Sequence, residues 1–151
     1  METVDFDFKL EHVETILHRD DAHEWYDAMV EMLPKYQIDT PKRVAGFIAQ
    51  TAHESASYKT ITENLNYSAK ALDAIFGKYF KRAGIDAQEY HRQPEKIANR
   101  IYANRMDNGS TASGDGWRFR GGGILQLTGR YNYTQFGKTV GMSAEKATEY
   151  V

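Results

Sequence analysis

Apolar residues recur at the three- and four-residue intervals of an α-helix along most of this 151-residue chain. The pattern occurs twice in residues 7–33, where the polar run 18–21 separates two predicted helices. It returns in residues 130–139 and 143–151. Since helical spacing dominates and no repeat or linker interrupts it, the sequence predicts an all-α, mainly helical fold with one domain over residues 1–151.

The clearest helix start is Thr40-Pro41, which pairs a hydroxyl N-cap with a proline at the first helical position. This helix is predicted to run from Pro41 to about Ser55, with Glu54 on the flank of its buried stripe. The residues predicted to form that stripe are Val44, Phe47, Ile48, Thr51 and Ser55.

The second half of the chain has weaker boundaries. Ser68 can cap a helix over residues 69–79, and Pro94 opens a further helix. Six glycines in 107–123 predict a loop or a short hairpin, and 124–128 is either a strand edge or a buried turn. The apolar face of the helix over 69–79 is predicted to hold Leu72, Ile75, Phe76 and Tyr79.

The composition limits the kinds of partner. The formal net charge of −2 gives no overall basic field, which weighs against nucleic acid as a partner. The absence of cysteine excludes disulfides and thiolate metal sites. The N-terminus shows no secretory signal, and no apolar run reaches the length of a membrane span. We therefore expect a monomer that is made in the cytoplasm and does not insert into a membrane.

Motifs for several other chemistries are missing from the sequence. The glycine run lacks the Gly-Lys-Ser/Thr of a phosphate loop, and His53-Glu54 lacks the second histidine of a zinc protease. Residues 107–116 do not fit the spacing of a calcium loop, and there is no Gly-x-Ser-x-Gly elbow. We therefore predict no metal site.

Glu54 and Glu63 are candidates for a pair of catalytic carboxyl groups. One continuous helix would separate them by about 13 Å along its axis and place them on opposite faces. Residues 55–58 make a poor helix interior, so the helix can end there and the chain can turn back. An inverting glycosidase needs its two carboxyl groups roughly 6.5–9.5 Å apart, with room for a water molecule.

The two glutamates are predicted to take different roles. Glu54, beside the apolar stripe, is expected to be partly desolvated, which favours the protonated form and suits a general acid. Glu63 lies among polar neighbours in the sequence, which favours the ionised form and suits a general base. His53 is a candidate hydrogen-bonding partner in the site.

Residues 121–133 form a second candidate region. Glycine allows the backbone to approach a ligand closely. Gln126, Thr128 and Asn132 offer short polar groups that can bind sugar hydroxyls or N-acetyl groups, or hold a water molecule. The alternative, a tight turn that simply packs against a helix, remains open from the residues alone.

Together these segments resemble glycoside hydrolase family 19, which contains chitinases and bacteriophage endolysins. Residues 47–55 resemble the catalytic-helix motif of that family, and residues 120–133 resemble its glycine-rich signature ending in an Asn-Tyr pair. The resemblance covers about residues 36–141. The segments that resemble the endolysin branch are 63–68, 98–105 and 114–120.

The resemblance implies a lysozyme-like fold and an inverting mechanism without a cofactor. It implies that Glu54 is the general acid, that Thr128 helps to hold the attacking water, and that Gln126 and Asn132 contact the substrate. Glu63 matches the endolysin pattern as the base. The aromatic residues implied for the walls of the cleft are Tyr67, Trp117 and Tyr131.

The predicted function is an endolysin that hydrolyses the glycosidic bonds of peptidoglycan, whose glycan strands are the predicted partner. It would reach the cell wall after release through the inner membrane. A chitinase is the alternative within the same chemistry. Because the C-terminal part of the family domain is expected to be absent, a non-catalytic wall-binding fragment is the alternative of another class.

Overall fold

The computed structural model describes Val4 and residues 6–151. Helices make up 54% of the structure, and the described residues contain no strand, which confirms the all-α prediction and is consistent with a lysozyme-like fold. Backbone contacts divide the chain into two compact units, Met1–Thr60 and Ile61–Val151, called here the N-terminal and C-terminal units. Within the described part of the chain, no helix has the length and apolar character needed to cross a bilayer.

Among its described residues, the N-terminal unit contains three α-helices: α1 (Leu10–Leu17), α2 (Ala22–Met32) and α3 (Pro41–Glu54). A short 3₁₀ helix, Pro34–Tyr36, follows α2. Helices α1 and α2 pack against each other. The predicted break between them is confirmed, because His18 adopts a left-handed conformation (φ 49°) that ends α1.

Helix α3 has the predicted start and the predicted buried stripe. The Thr40 side chain accepts a hydrogen bond from the backbone N–H of Arg43, and Pro41 occupies the first helical position. The helix ends at Glu54, with Ser55 as its C-cap. The stripe residues that are buried are Val44, Ile48, Thr51 and Ser55.

The C-terminal unit contains five α-helices: α4 (Ala69–Ile75), α5 (Pro94–Ile101), α6 (Asp115–Arg118), α7 (Arg130–Val140) and α8 (Ala144–Ala147). Three 3₁₀ helices connect them: Lys81–Ala83, Ala87–Tyr90 and Thr111–Ser113. The unit has two apolar clusters. The larger is centred on Leu65, Leu72, Phe80, Ile97 and Ile101, and the smaller on Phe119, Tyr133, Ala144 and Ala147.

The prediction of a helix over residues 69–79 is wrong in its length. Helix α4 ends at Ile75, and the Ile75 side chain is 62% exposed rather than buried. The cause lies at Gly77, where an added Cβ would be 2.6 Å from the carbonyl oxygen of Asp73. The chain turns sharply there because glycine permits this approach, and Phe80 then fills the core.

The predicted secondary structure is also corrected in two other segments, residues 143–151 and 124–128. Only Ala144–Ala147 is α-helical in the predicted helix over 143–151. Residues 124–128 form a turn rather than a strand, but the turn is not buried, since Leu125 is 70% exposed and the other four residues are half-buried. Isolated bridges join Gly122 to Thr62 and to Leu127. These bridges hold the glycine-rich segment against the start of the C-terminal unit.

Candidate functional site

Glu63 is held by two hydrogen-bond donors within the C-terminal unit. Its Oε1 accepts a hydrogen bond from the Tyr102 hydroxyl at 2.6 Å, and its Oε2 accepts one from the Gly121 backbone N–H at 2.9 Å. The Glu63 backbone N–H donates to the Gly121 carbonyl oxygen at 2.9 Å. The side chain is half-buried, so the two donors fix its orientation while part of it faces solvent.

Tyr102 follows α5 directly and is anchored at its backbone. Its N–H donates to the Ala98 carbonyl oxygen at 3.0 Å, and its own carbonyl oxygen accepts from the Asn108 side-chain amide at 3.1 Å. Burial, followed by the hydrogen bond to Glu63, raises the pKa of the Tyr102 phenol well above its ordinary value. The phenol therefore keeps its proton at neutral pH and donates a hydrogen bond to the carboxylate.

Gly121 permits a close approach of two polar side chains. An added Cβ at this position would lie 2.8 Å from Oε1 of Gln126 and 3.2 Å from Oε2 of Glu63. A side chain at this position would have to displace the end of the Gln126 side chain, so glycine suits the space between Gln126 and Glu63.

Gln126, Thr128 and Asn132 continue the site along the chain. The Thr128 hydroxyl donates to the Gln126 carbonyl oxygen at 2.9 Å, and the Asn132 amide N–H donates to the Thr128 carbonyl oxygen at 2.8 Å. The Thr128 oxygen keeps its capacity to accept a hydrogen bond from water. These bonds link Gln126, Thr128 and Asn132 to one another, and the Gln126 side chain lies near Gly121, the residue that binds Glu63.

The three predicted cleft-wall aromatics lie in different settings. Tyr131, on the first turn of α7, is 50% exposed and offers a ring face to a ligand. Tyr67 packs edge-on against Phe76 at 5.2 Å between ring centroids, beside the larger apolar cluster. Trp117 packs against the same cluster, and the Arg120 guanidinium covers its ring at 3.9 Å.

A buried ion pair anchors the end of the site. The carboxylate of Asp115, buried in α6, accepts hydrogen bonds from Nη2 and Nε of Arg130 at 2.7 and 3.2 Å. It also accepts the backbone N–H of Gly109 at 2.8 Å. Arg130 is the first residue of α7, so the pair fixes the helix that carries Tyr131 and Asn132. The hydrogen bond from Arg130 is the main cause that lowers the pKa of the Asp115 carboxyl.

Asp115→Asn is expected to destabilise the protein by about 3 kcal/mol, because it leaves the Arg130 cation without its buried partner. A carboxyl whose folded-state pKa is lowered contributes stability above its unfolded pKa of about 4 and loses it as the pH falls through the folded-state value. The variant should therefore also show a flatter pH dependence of stability below about pH 4.

Denaturant unfolding between neutral and acidic pH measures both effects. Glu145→Gln is the matched control, since Glu145 also pairs with Arg130, at 2.6 Å, but is largely exposed. Its loss should cost less than about 1 kcal/mol. Equal losses of stability in the two variants would show that the Asp115–Arg130 pair stabilises the protein no more than the exposed Glu145–Arg130 pair does.

Glu54 and His53 lie in the N-terminal unit, at the end of α3. Glu54 accepts a hydrogen bond from the Gln50 side-chain amide at 2.9 Å. The expectation that Glu54 is partly desolvated is wrong, because its side chain is exposed, as is that of His53. Helical geometry explains this: Thr51 and Ser55 point into the buried stripe, and residues 53 and 54 project away from it.

The backbone after Glu54 makes an unusual turn that confirms the predicted end of the helix. Ala56, Ser57 and Tyr58 are all in the left-handed region, with φ of 51°, 59° and 62°. The Ser57 N–H donates to the Ala52 carbonyl oxygen at 2.7 Å, and the Tyr58 N–H donates to the Ser55 hydroxyl oxygen at 2.9 Å. These bonds compensate for a conformation that disfavours side chains with a Cβ.

Arg19 holds the same turn from the connection between α1 and α2. Its guanidinium donates to the carbonyl oxygen of Tyr58 and, at 3.5 Å, to that of Ser57. The Asp21 carboxylate binds the guanidinium on its other side, with Nη2 and Oδ2 2.6 Å apart. The Trp25 ring lies 4.5 Å from the Tyr58 ring. The turn that follows Glu54 is therefore fixed by side chains rather than by glycine.

Ala56→Gly is expected to stabilise the N-terminal unit by about 1 kcal/mol, because glycine adopts the left-handed conformation without the steric penalty of a Cβ. Ala45→Gly is the matched control, since Ala45 is exposed in the interior of α3 and glycine there should destabilise by about 1 kcal/mol. Urea unfolding of both variants measures the difference, and a loss of stability in Ala56→Gly would contradict the assigned strain.

The sequence analysis gave no role to Tyr102, Arg19 or the Asp115–Arg130 pair. Tyr102 and Glu63 are 39 residues apart in the chain, and Asp115 and Arg130 are 15 apart. Periodicity and local motifs do not report contacts of this separation. A partial signal exists for Tyr102, Asp115 and Arg130, which lie inside segments that resemble the known family.

Comparison with known proteins gives one named relative. No protein-family model matches the chain. A glycosyl hydrolase family 19 domain-containing protein of Haemophilus influenzae is 45% identical to it over 120 residues. The aligned region covers 80% of this chain and 60% of the relative, so the chain spans less than two thirds of the relative's length. The relative's name agrees with the family resemblance and does not specify the endolysin branch.

Proposed function

We propose that this chain is a family 19 glycoside hydrolase, an endolysin that hydrolyses the glycosidic bonds of bacterial peptidoglycan with inversion. A relative with that family name and 45% identity supports the family. The observation that carries the chemistry is the Glu63 carboxylate, which two donors hold beside Gln126 and the glycine-rich segment.

Glu63 is proposed as the general base. Tyr102 and Gly121 each donate to one carboxylate oxygen, and each oxygen has a second lone pair free for water. Thr128 has a hydroxyl oxygen that can accept a hydrogen bond, and it is proposed to help hold that water. Glu63 would take a proton from the water as it attacks the anomeric carbon.

Glu54 is proposed as the general acid. Its carboxyl group, at the end of α3, is exposed and is oriented by Gln50. In an inverting hydrolysis the acid protonates the oxygen of the leaving sugar while the base activates water on the opposite face of the ring. This division of labour needs no cofactor.

The proposed substrate site uses the surface around the start of α7. The exposed ring of Tyr131 can stack on the apolar face of a sugar, and the Asn132 amide oxygen can accept a hydrogen bond from an N-acetyl N–H. His53, Tyr67 and Trp117 are proposed as further substrate contacts. Glycan strands of peptidoglycan carry both apolar sugar faces and N-acetyl groups, and they are the proposed partner. The enzyme is proposed to be a monomer.

The proposed biological setting is lysis of a bacterial host by a phage. The chain would be made in the host cytoplasm and would act on the cell wall after release through the inner membrane. Outer-membrane-permeabilised Gram-negative cells are therefore a suitable target for an assay of lytic activity.

Substrate specificity is tested by comparing purified peptidoglycan sacculi with N-acetylglucosamine oligomers, and by measuring new reducing ends. Release from sacculi with little release from the oligomers supports the endolysin. Release from the oligomers alone identifies a chitinase. Tight binding to sacculi without new reducing ends identifies a wall-binding module. The Glu63→Gln variant is the control that separates enzymatic release from contamination.

A further inference from the structure

We infer that Tyr102 is a positioning residue for Glu63. Its phenol orients the Glu63 carboxylate and keeps it ready to accept a proton. The role rests on the proposed function of Glu63 as the base. The residue had no predicted role, and it acts through Glu63 rather than on the substrate.

The hydrogen bond between the two side chains is short, and Tyr102 is itself held by hydrogen bonds to its backbone. The phenol oxygen lies 2.6 Å from Oε1 of Glu63, within the range of a strong O–H···O⁻ hydrogen bond. The backbone of Tyr102 is held on both sides, by Ala98 and by Asn108. A rigid donor of this kind restricts the carboxylate to one orientation.

The second donor to Glu63 is a backbone N–H. Gly121 supplies this N–H, which cannot be removed by replacing a side chain. Tyr102 therefore provides the side-chain half of the support for Glu63. Its loss would leave Oε1 without its partner and the carboxylate free to rotate.

The other titratable groups near the pair do not replace the phenol. The Arg105 guanidinium lies 5.8 Å from the Tyr102 ring centroid and acts against the rise in the Tyr102 pKa, while Tyr67 adds slightly to that rise. Burial raises the pKa of the Tyr133 phenol. The Arg120 charge acts against this rise, and the Glu63 charge adds to it. Among the described residues of this unit, only Tyr102 and Gly121 donate a hydrogen bond to the Glu63 carboxylate.

The test is Tyr102→Phe, which removes the hydroxyl and retains the ring. We expect kcat/KM on peptidoglycan to fall about 10- to 100-fold, because a hydrogen bond to a charged group is lost. The acidic limb of the pH–activity profile should move to higher pH by about one unit. A purely structural role would lower activity or stability without moving that limb.

Tyr90→Phe is the matched control. Tyr90 is half-buried beside the same apolar cluster, with its ring packed on Phe80, and its hydroxyl makes no hydrogen bond to the described residues. The pH–activity profile of this variant should equal that of the parent protein. A shift of equal size in both variants would overturn the role assigned to Tyr102.

A readout independent of activity separates this inference from the proposed function. The side-chain carboxyl ¹³C resonance that disappears in Glu63→Gln should change its chemical shift in Tyr102→Phe at neutral pH, because the carboxylate has lost a donor. An unchanged resonance and an unchanged pH profile would overturn the inference, even if Glu63→Gln is inactive. Full activity in Glu63→Gln would instead refute the proposed function, and the resonance would still decide whether the phenol orients the carboxylate.

Discussion

Replacement of Glu54 by glutamine is expected to reduce the turnover of peptidoglycan by about a hundred- to ten-thousandfold, the usual contribution of a general acid. Glutamine has nearly the same shape as glutamate, so its side chain can keep the contact with Gln50. It cannot supply a proton to the leaving sugar. The measurement is the rate at which reducing ends appear in permeabilised cells or purified sacculi.

The fold of Glu54→Gln should remain intact, because the side chain is exposed and such substitutions usually change stability by less than about 0.5 kcal/mol. Glu14→Gln is the matched control, an exposed glutamate in α1 of the same unit. It should retain full activity. Wild-type turnover in Glu54→Gln would refute its assignment as the acid.

Replacement of Glu63 by glutamine is expected to reduce turnover by a similar factor of about a hundred to ten thousand. The amide cannot take a proton from water. Its amide oxygen can still accept from the Gly121 N–H, and its NH₂ group can donate to the Tyr102 oxygen once that hydroxyl rotates. Two charge-assisted hydrogen bonds then become neutral ones, which should lower the free energy of unfolding by about 1 kcal/mol.

Activity and stability must therefore be measured together for Glu63→Gln. Glu95→Gln is the matched control in the same unit, since Glu95 is exposed in the first turn of α5. It should keep its activity and nearly all its stability. If Glu63→Gln is folded at the assay temperature and turns over peptidoglycan at the wild-type rate, Glu63 is not the base.

Local sequence signals predicted the helices well where a cap and a periodic stripe coincide. Thr40 and Pro41 fixed the start of α3, and the poor helix formers after Glu54 fixed its end. The failure at α4 has a tertiary cause. The close approach of Gly77 to Asp73 ends the helix early, and an isolated glycine in an apolar pattern does not reveal such an approach.

The composition of the candidate site was only partly visible in the sequence. The sequence predicts Gln126, Thr128 and Asn132 as site residues because they lie in one short motif. The prediction that Glu54 is partly desolvated was wrong, because residues 53 and 54, between buried Ala52 and buried Ser55, face away from the stripe. The support of Glu63 by Tyr102 could not be found, since it depends on a contact between distant segments.

The local backbone explains how this sequence presents its two glutamates. In the N-terminal unit, a left-handed turn held by Arg19 ends α3 directly after Glu54. In the C-terminal unit, Gly121 lets Gln126 approach Glu63 while its N–H binds the carboxylate. Both arrangements depend on residues that make no direct contact with a substrate in the proposed mechanism.

Mass spectrometry of the fragments released from purified sacculi tests the proposed chemistry most directly. Hydrolysis of glycosidic bonds should give fragments in which water has been added at a free reducing-end sugar, and Glu63→Gln should release almost none. Fragments with anhydro-sugar ends, cleavage confined to the peptide cross-links, or equal release by Glu63→Gln would contradict hydrolysis with Glu63 as the base.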